Sequence, residues 1–256
     1  MARFAVLRIF ALALAVLAAT AGPVRASVIT TGNIDPAGSG GVGPSNIVTR
    51  QDPWNVSGNL IVADTAFGTL NVTDGGVVNN TVGSIGAEFG ATGVATINGA
   101  NSQWNNSEYL YVGVEGDGTL NVTDGGVVSN TLGYIGRESG STGVATVTGT
   151  GSAWNNSDSM QVGIEGTGTL NITDGGVVSN PTGFIAMMSG STGEVTVTGD
   201  TSQWNNSGDL SVGYSGDGTL NVEAGGVVSS ADGRIGYVTE STGVVTVTGS
   251  GSMWNN

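Results

Sequence analysis

The sequence contains no cysteine, no histidine and no lysine, and each absence removes a branch of chemistry. Without cysteine there is no disulfide, no thiolate nucleophile and no thiolate-ligated metal. Without histidine or lysine there is no imidazole base and no amine nucleophile. Charge is scarce and one-sided: arginine supplies all 6 cations against 20 aspartates and glutamates, a net charge of −14. Such a field repels nucleic acid and anionic lipid, so neither is expected as a partner. Long apolar runs are also rare. The one from Ile9 to Ala21, broken only by Thr20, is too short to span a bilayer comfortably.

That run serves a different purpose. Arg3 and Arg8 precede it, and Val24-Arg25-Ala26 places small residues at −3 and −1 before Ser27. Residues 1–26 therefore read as a cleaved secretory signal peptide, and export across the inner membrane is expected. Cleavage leaves Arg50, Arg137 and Arg234 as the remaining cations.

Glycine, with 46 residues, is abundant, and it is ordered in a period. The five tryptophans, Trp54, Trp104, Trp154, Trp204 and Trp254, fall at one spacing of 50 residues. Between them Gly68-Thr69-Leu70-Asn71-Val72 returns at 118 and 218, and at 168 with Ile172 in place of the valine, and Gly75-Gly76-Val77-Val78 at 125, 175 and 225. Each unit is itself doubled. Val112-Gly113 corresponds to Ile135-Gly136, Leu120-Asn121-Val122 to Ala145-Thr146-Val147, and Val128 to Trp154.

Each half carries three short alternating runs separated by Gly, Asn, Ser and Asp, a strand-and-turn pattern. The fold class expected is all-β: a right-handed parallel β-helix with coils of about 25 residues in 50-residue double-coil repeats. Residues 27–53 are assigned to an N-terminal cap, and 54–256 to the β-helix. Its repeats are 54–103, 104–153, 154–203 and 204–253, with a fifth starting at 254. Residues 33–45, rich in Gly and Pro, are expected to be the least regular part.

Alternation assigns the faces. Leu110, Val112, Leu120, Val122, Ala145, Val147 and the Val128 or Trp154 position point inward, whereas Val144, Glu194 and Val244 point outward. A position that alternates Val and Trp reads as core, against a competing reading as an exposed row for stacking on sugars. Asn121, or Asn155 and Asn156, suit either hydrogen-bonded ladders between coils or solvated turns.

The phrases Gly118-Thr119-Leu120-Asn121-Val122-Thr123-Asp124-Gly125-Gly126 and Gly140-Ser141-Thr142-Gly143-Val144-Ala145-Thr146-Val147-Thr148-Gly149, closed by Ser152-Ala153-Trp154-Asn155-Asn156, resemble the type V secretion and PEP-CTERM-associated repeat. The resemblance covers roughly Trp54 to Asn256. It implies the β-helical passenger of a bacterial autotransporter, translocated through an outer-membrane β-barrel that is not in this chain, or an extracellular matrix protein with a PEP-CTERM sorting tail. Because the chain stops at Trp254-Asn255-Asn256 in mid-repeat, a fragment is expected.

The carboxylates considered for acid–base chemistry are Asp74, Asp124 and Asp174. They recur at one turn position, which Glu223-Ala224 occupies in the fourth unit. No coil stands out as a unique centre, and the calcium-loading Gly-Gly-x-Gly-x-Asp signature is missing. No catalytic, cofactor-binding or metal residue is therefore assigned, no cofactor is expected, and the chain is read as not an enzyme. Asn-x-Ser/Thr triplets, among them those at Asn71, Asn105, Asn121, Asn155, Asn171 and Asn205, matter only in a glycosylating compartment. The function expected is that of an exported cell-surface or extracellular structural or adhesive protein. Its partners would be surface glycans or other cells, held by weak multivalent contacts. A polysaccharide-acting β-helix enzyme is the alternative.

Overall fold

The computed structural model describes residues 26–35 and 47–256. The expected leader, apart from Ala26, and most of the Gly/Pro-rich 33–45 stretch lie outside the described residues.

From Trp54 onward the chain forms a parallel β-helix, or β-solenoid, of eight complete coils. Each coil contributes one strand to each of three sheets. Coil 3, for example, is built from Gln103–Asn106, Tyr109–Val112 and Asp117–Thr123, and coil 4 from Val127–Asn130, Leu132–Ile135 and Thr142–Thr148. We number the sheets first, second and third in that order. Register between coils 3 and 4 pairs Val112 with Ile135, Leu120 with Ala145, and Val122 with Val147. Between coils 4 and 5, Val128 lies beside Trp154. The correspondences read from the repeated phrases are thus the physical pairings.

At its start the stack meets strands of opposite direction. Ser27–Gly32 runs antiparallel to Phe67–Thr73 of coil 1, and Ile47–Arg50 runs antiparallel to Ser27–Gly32. The short Ile34–Asp35 does the same beside Leu60–Val62. Val28 and Ile34 enter the core through these strands. Beyond coil 8, among the described residues, only the strand Met253–Asn255 is stacked, on the first sheet. In coil 8 Ile235 is 53% and Val247 46% exposed, whereas their equivalents Ile135, Ile185, Val147 and Val197 are fully buried.

Inside, coils alternate in bulk. Trp154, Met160 and Leu170 fill coil 5, while Val128, Gly133 and Ala145 occupy the same positions in coil 4. The indole needs the glycine. A Cβ at Gly133 would lie 3.1 Å from Trp154 Cζ2 and 2.5 Å from Asn156 Oδ1, and Gly83 and Gly183 stand in the same relation to Trp104 and Trp204. Trp104, Trp154 and Trp204 are fully buried, which overturns the reading of the tryptophans as an exposed sugar-stacking row. Trp54 in the first coil is half-buried, and the Arg50 guanidinium covers its ring at 4.7 Å.

A polar ladder threads this apolar interior. Asn130 Oδ1 accepts the indole N–H of Trp154 at 2.7 Å, and its amide donates to Asn156 Oδ1 at 2.6 Å. The trio repeats as Asn80, Trp104 and Asn106 and as Asn180, Trp204 and Asn206. In the last coils Ser230 takes the middle place, accepting from Trp254 and donating to Asn256. Buried indole and amide groups lost from water need such partners, because an orphaned one costs about 1–3 kcal/mol. The solvated-turn reading therefore fails for Asn156, which faces inward. Asn155 faces out and is exposed.

Candidate functional site

The three outer faces differ in chemistry. On the third sheet, Thr119 and Asn121 pair with Val144 and Thr146, and the same Thr, Asn and small apolar residues continue from coil to coil, with Glu194 exposed among them. The first sheet carries Asn, Ser, Gln and Val outside. The second sheet gathers the aromatics: all five tyrosines of the chain lie on it or on the turn that follows it.

Asp74, Asp124 and Asp174 sit at exposed turn positions with φ of 56°, 52° and 52°. Aspartate tolerates the left-handed region better than most residues, which explains its recurrence there. Ala224 takes the same conformation at 47°. In the intervening coils the equivalent residues are glycines, Gly99, Gly149 and Gly199, so the aspartates do not stack directly on one another. Their oxygens accept from neighbours instead: Asp124 from Asn98 at 2.6 Å and Asp174 from Thr148 at 3.2 Å. Among the described residues no group of three or more acidic side chains is placed to hold a metal ion. The Asn-x-Ser/Thr triplets divide between the outer face of the third sheet, at Asn71, Asn121 and Asn171, and first-sheet strands, at Asn105, Asn155 and Asn205 and also at Asn55 and Asn79.

Four glutamates not singled out from the sequence do form a row. Glu88, Glu115, Glu138 and Glu165 follow the second sheet in coils 2 to 5, and their backbones are stacked in register. At a coil spacing of about 4.8 Å these like charges repel. Arg137 Nε, 3.3 Å from Glu138, offsets part of that repulsion.

Beside the row, Tyr111 and Tyr134 stack nearly parallel, with centroids 4.9 Å apart, and the Arg137 guanidinium lies 5.0 Å from the Tyr111 ring. Tyr214 and Tyr237 repeat the arrangement with Arg234, at 5.1 Å and 5.5 Å. Burial raises the Tyr111 and Tyr134 pKa values above the ordinary tyrosine value, with the Arg137 charge working against the shift. Because the ring faces turn toward one another and toward arginine, this strip offers ring edges to a ligand rather than flat platforms.

The remaining feature is a corner. Between the first and second sheets, tryptophan coils spend one residue more than valine coils: Trp154 to Met160 is a longer step than Val128 to Gly133. The corner of every second coil therefore stands proud. Between the raised corners of coils 5 and 7, above coil 6, lies an open concavity of about 470 Å³. Comparison with protein-family models, with curated proteins and with solved structures finds no match. Function must be argued from these surfaces alone. Only asparagine, serine and proline line the concavity, among them Ser157, Ser179, Pro181, Asn205 and Ser207. A second concavity, of about 430 Å³, occupies the same corner of coil 1 but includes Asp35 and Trp54.

Proposed function

We propose that this chain is the contact-making region of an exported bacterial surface protein, an autotransporter passenger that attaches through its repeated outer faces and performs no catalysis. The observation that supports this reading is translational sameness: the outward Thr119 and Asn121 positions recur in register along the third sheet. Identical weak sites at fixed spacing gain avidity from number rather than from any one contact. At about 4.8 Å per coil, eight coils extend roughly 40 Å, a rod rather than a cleft-bearing globule. The aspartates offered for acid–base work are separated by glycine coils, which suits turn formation better than a reaction centre.

Export by cleavage after Ala26 belongs to the same proposal, and so does the resemblance to the type V secretion repeat. Beads coated with residues 27–256 at high density should adhere to glycan-bearing surfaces, while the free chain binds them weakly. Removing one 50-residue unit should lower adhesion in a graded way. Turnover of a polysaccharide, abolished by replacing one carboxylate with its repeat equivalents left intact, would overturn the reading in favour of an enzyme. Mass spectrometry of secreted material tests the export step, which requires Ser27 as the first residue.

A further inference from the structure

The corner over coil 6 differs from those of the other valine coils in one backbone hydrogen bond. In the other valine coils the residue after the ladder position donates its backbone N–H across the corner: Thr81 to Gly58 O at 2.8 Å, Thr131 to Glu108 O at 2.6 Å, and Ala231 to Gly208 O at 2.8 Å. In coil 6 that residue is Pro181, which has no N–H to give. Among the described residues, the Asp158 carbonyl accordingly receives no such bond. An acceptor satisfied at three corners lacks that donor at the fourth, next to Ser157 and Pro181, which line the concavity.

The donors and acceptors around it are neutral. Among the described residues, the hydroxyls of Ser157, Ser179 and Ser207 make no side-chain hydrogen bond. Asn205 is held loosely, donating to Gln203 at 3.2 Å and accepting from Ser229 at 3.4 Å. Hydroxyls and amides that both give and accept match a ligand rich in hydroxyl groups. The concavity is open to solvent, which suits a chain lying across it rather than an enclosed small ligand. No charged side chain lines it, although the chain carries −14 overall. Asp158 belongs to a flanking corner and has no ion-pair partner among the described residues, whereas Asp209 is paired with Arg234, so an anionic ligand meets the repulsion of Asp158 and of the chain's net charge while a neutral one does not.

We infer that the coil 6 corner is a binding site for a neutral polysaccharide, whose hydroxyls bond the free Asp158 carbonyl, the three serine hydroxyls and the Asn205 amide. This deepens the adhesive reading and rests on it for biological meaning, but it can be tested separately. Single contacts of this kind exchange with water and gain little each, so binding by one rod is weak and repetition on many rods makes it useful.

The test is a titration of the mature chain with cellohexaose and maltohexaose, followed by amide and side-chain NMR shifts. Hexagalacturonate serves as the anionic comparison. Shifts should concentrate at Thr182, Gly208 and the Asn205 side chain, and the acidic oligomer should bind more weakly. Pro181→Thr installs the residue found at the coil 2 and coil 4 corners and restores the N–H that occupies Asp158 O. It should fold at least as stably and weaken binding about three- to tenfold, the range for one lost hydrogen bond. Ser207→Ala gives a second, independent loss.

Shifts spread over all coils, or unchanged affinity in Pro181→Thr, would overturn the site. If coated beads adhere while the corner stays silent, the site fails and the adhesive reading stands. If the corner titrates as described but beads do not adhere, the site stands and the adhesive reading fails.

Discussion

Replacing Asn130 tests whether the interior ladder holds the coils together. Its Oδ1 takes the Trp154 N–H and its amide reaches Asn156 Oδ1, and the residue is 6% exposed. Asn130→Val keeps the volume roughly constant but orphans two buried groups, the indole donor and the Asn156 acceptor. At about 1–3 kcal/mol each the loss is about 2–6 kcal/mol. The fold contains its own control. Ser230 serves Trp254 and Asn256 with a single hydroxyl, at 3.0 and 2.6 Å. Asn130→Ser should therefore cost only about 1 kcal/mol. Urea unfolding followed by tryptophan fluorescence compares the two variants, and hydrogen exchange locates the damage. Exchange should quicken in coils 4 and 5 before coil 1, because a solenoid couples mainly through nearest neighbours. If the valine variant proves as stable as the serine variant, the ladder is incidental and the apolar stack alone sets stability.

Four further outcomes follow from the packing and the surface. Trp154→Ala should cost about 3–5 kcal/mol by opening a cavity above Gly133, with exchange around Trp54 unchanged. Asp124→Gly should shift stability by no more than about 0.5 kcal/mol, while Asp124→Val should cost more than about 1 kcal/mol because a β-branched residue resists the left-handed turn. Glu115→Gln should raise the melting temperature in dilute buffer, and the gain should vanish near 1 M salt, where the Debye length is about 3 Å. Since burial raises the Tyr111 and Tyr134 pKa values in the folded state, their stabilising contribution is complete below the unfolded tyrosine value of about 10. It is lost as pH rises through the folded values, and ultraviolet titration should show these phenols ionising late.

Coil number, register and inward residues were legible because each rests on period: the pairings of Val112 with Ile135 and of Val128 with Trp154 can be read by aligning half-repeats. The inward course of Asn156 was legible in principle, since it lies two residues beyond Trp154 on the same strand face. Asparagine's preference for turns pulled the reading both ways. The glutamate row was harder to see, because its spacing alternates between longer and shorter steps as the turn after the second sheet lengthens and shortens. The coil 6 corner was hardest. It depends on one extra residue in the flanking corners and one missing N–H at Pro181, and neither changes the hydrophobic pattern.

The alternation of bulky and slight coils also restricts how such a gene can grow or shrink. Losing one valine coil would set Trp104 directly beside Trp154, with no glycine beneath the second indole and no Asn130 to accept its N–H hydrogen bond. Two indoles would compete for space shaped for one, and overpacking of that kind is itself destabilising. Losing two coils restores every partner. Unequal recombination should therefore leave viable descendants only in steps of a full tryptophan-to-tryptophan unit, and natural length variants should differ by whole units and never by halves.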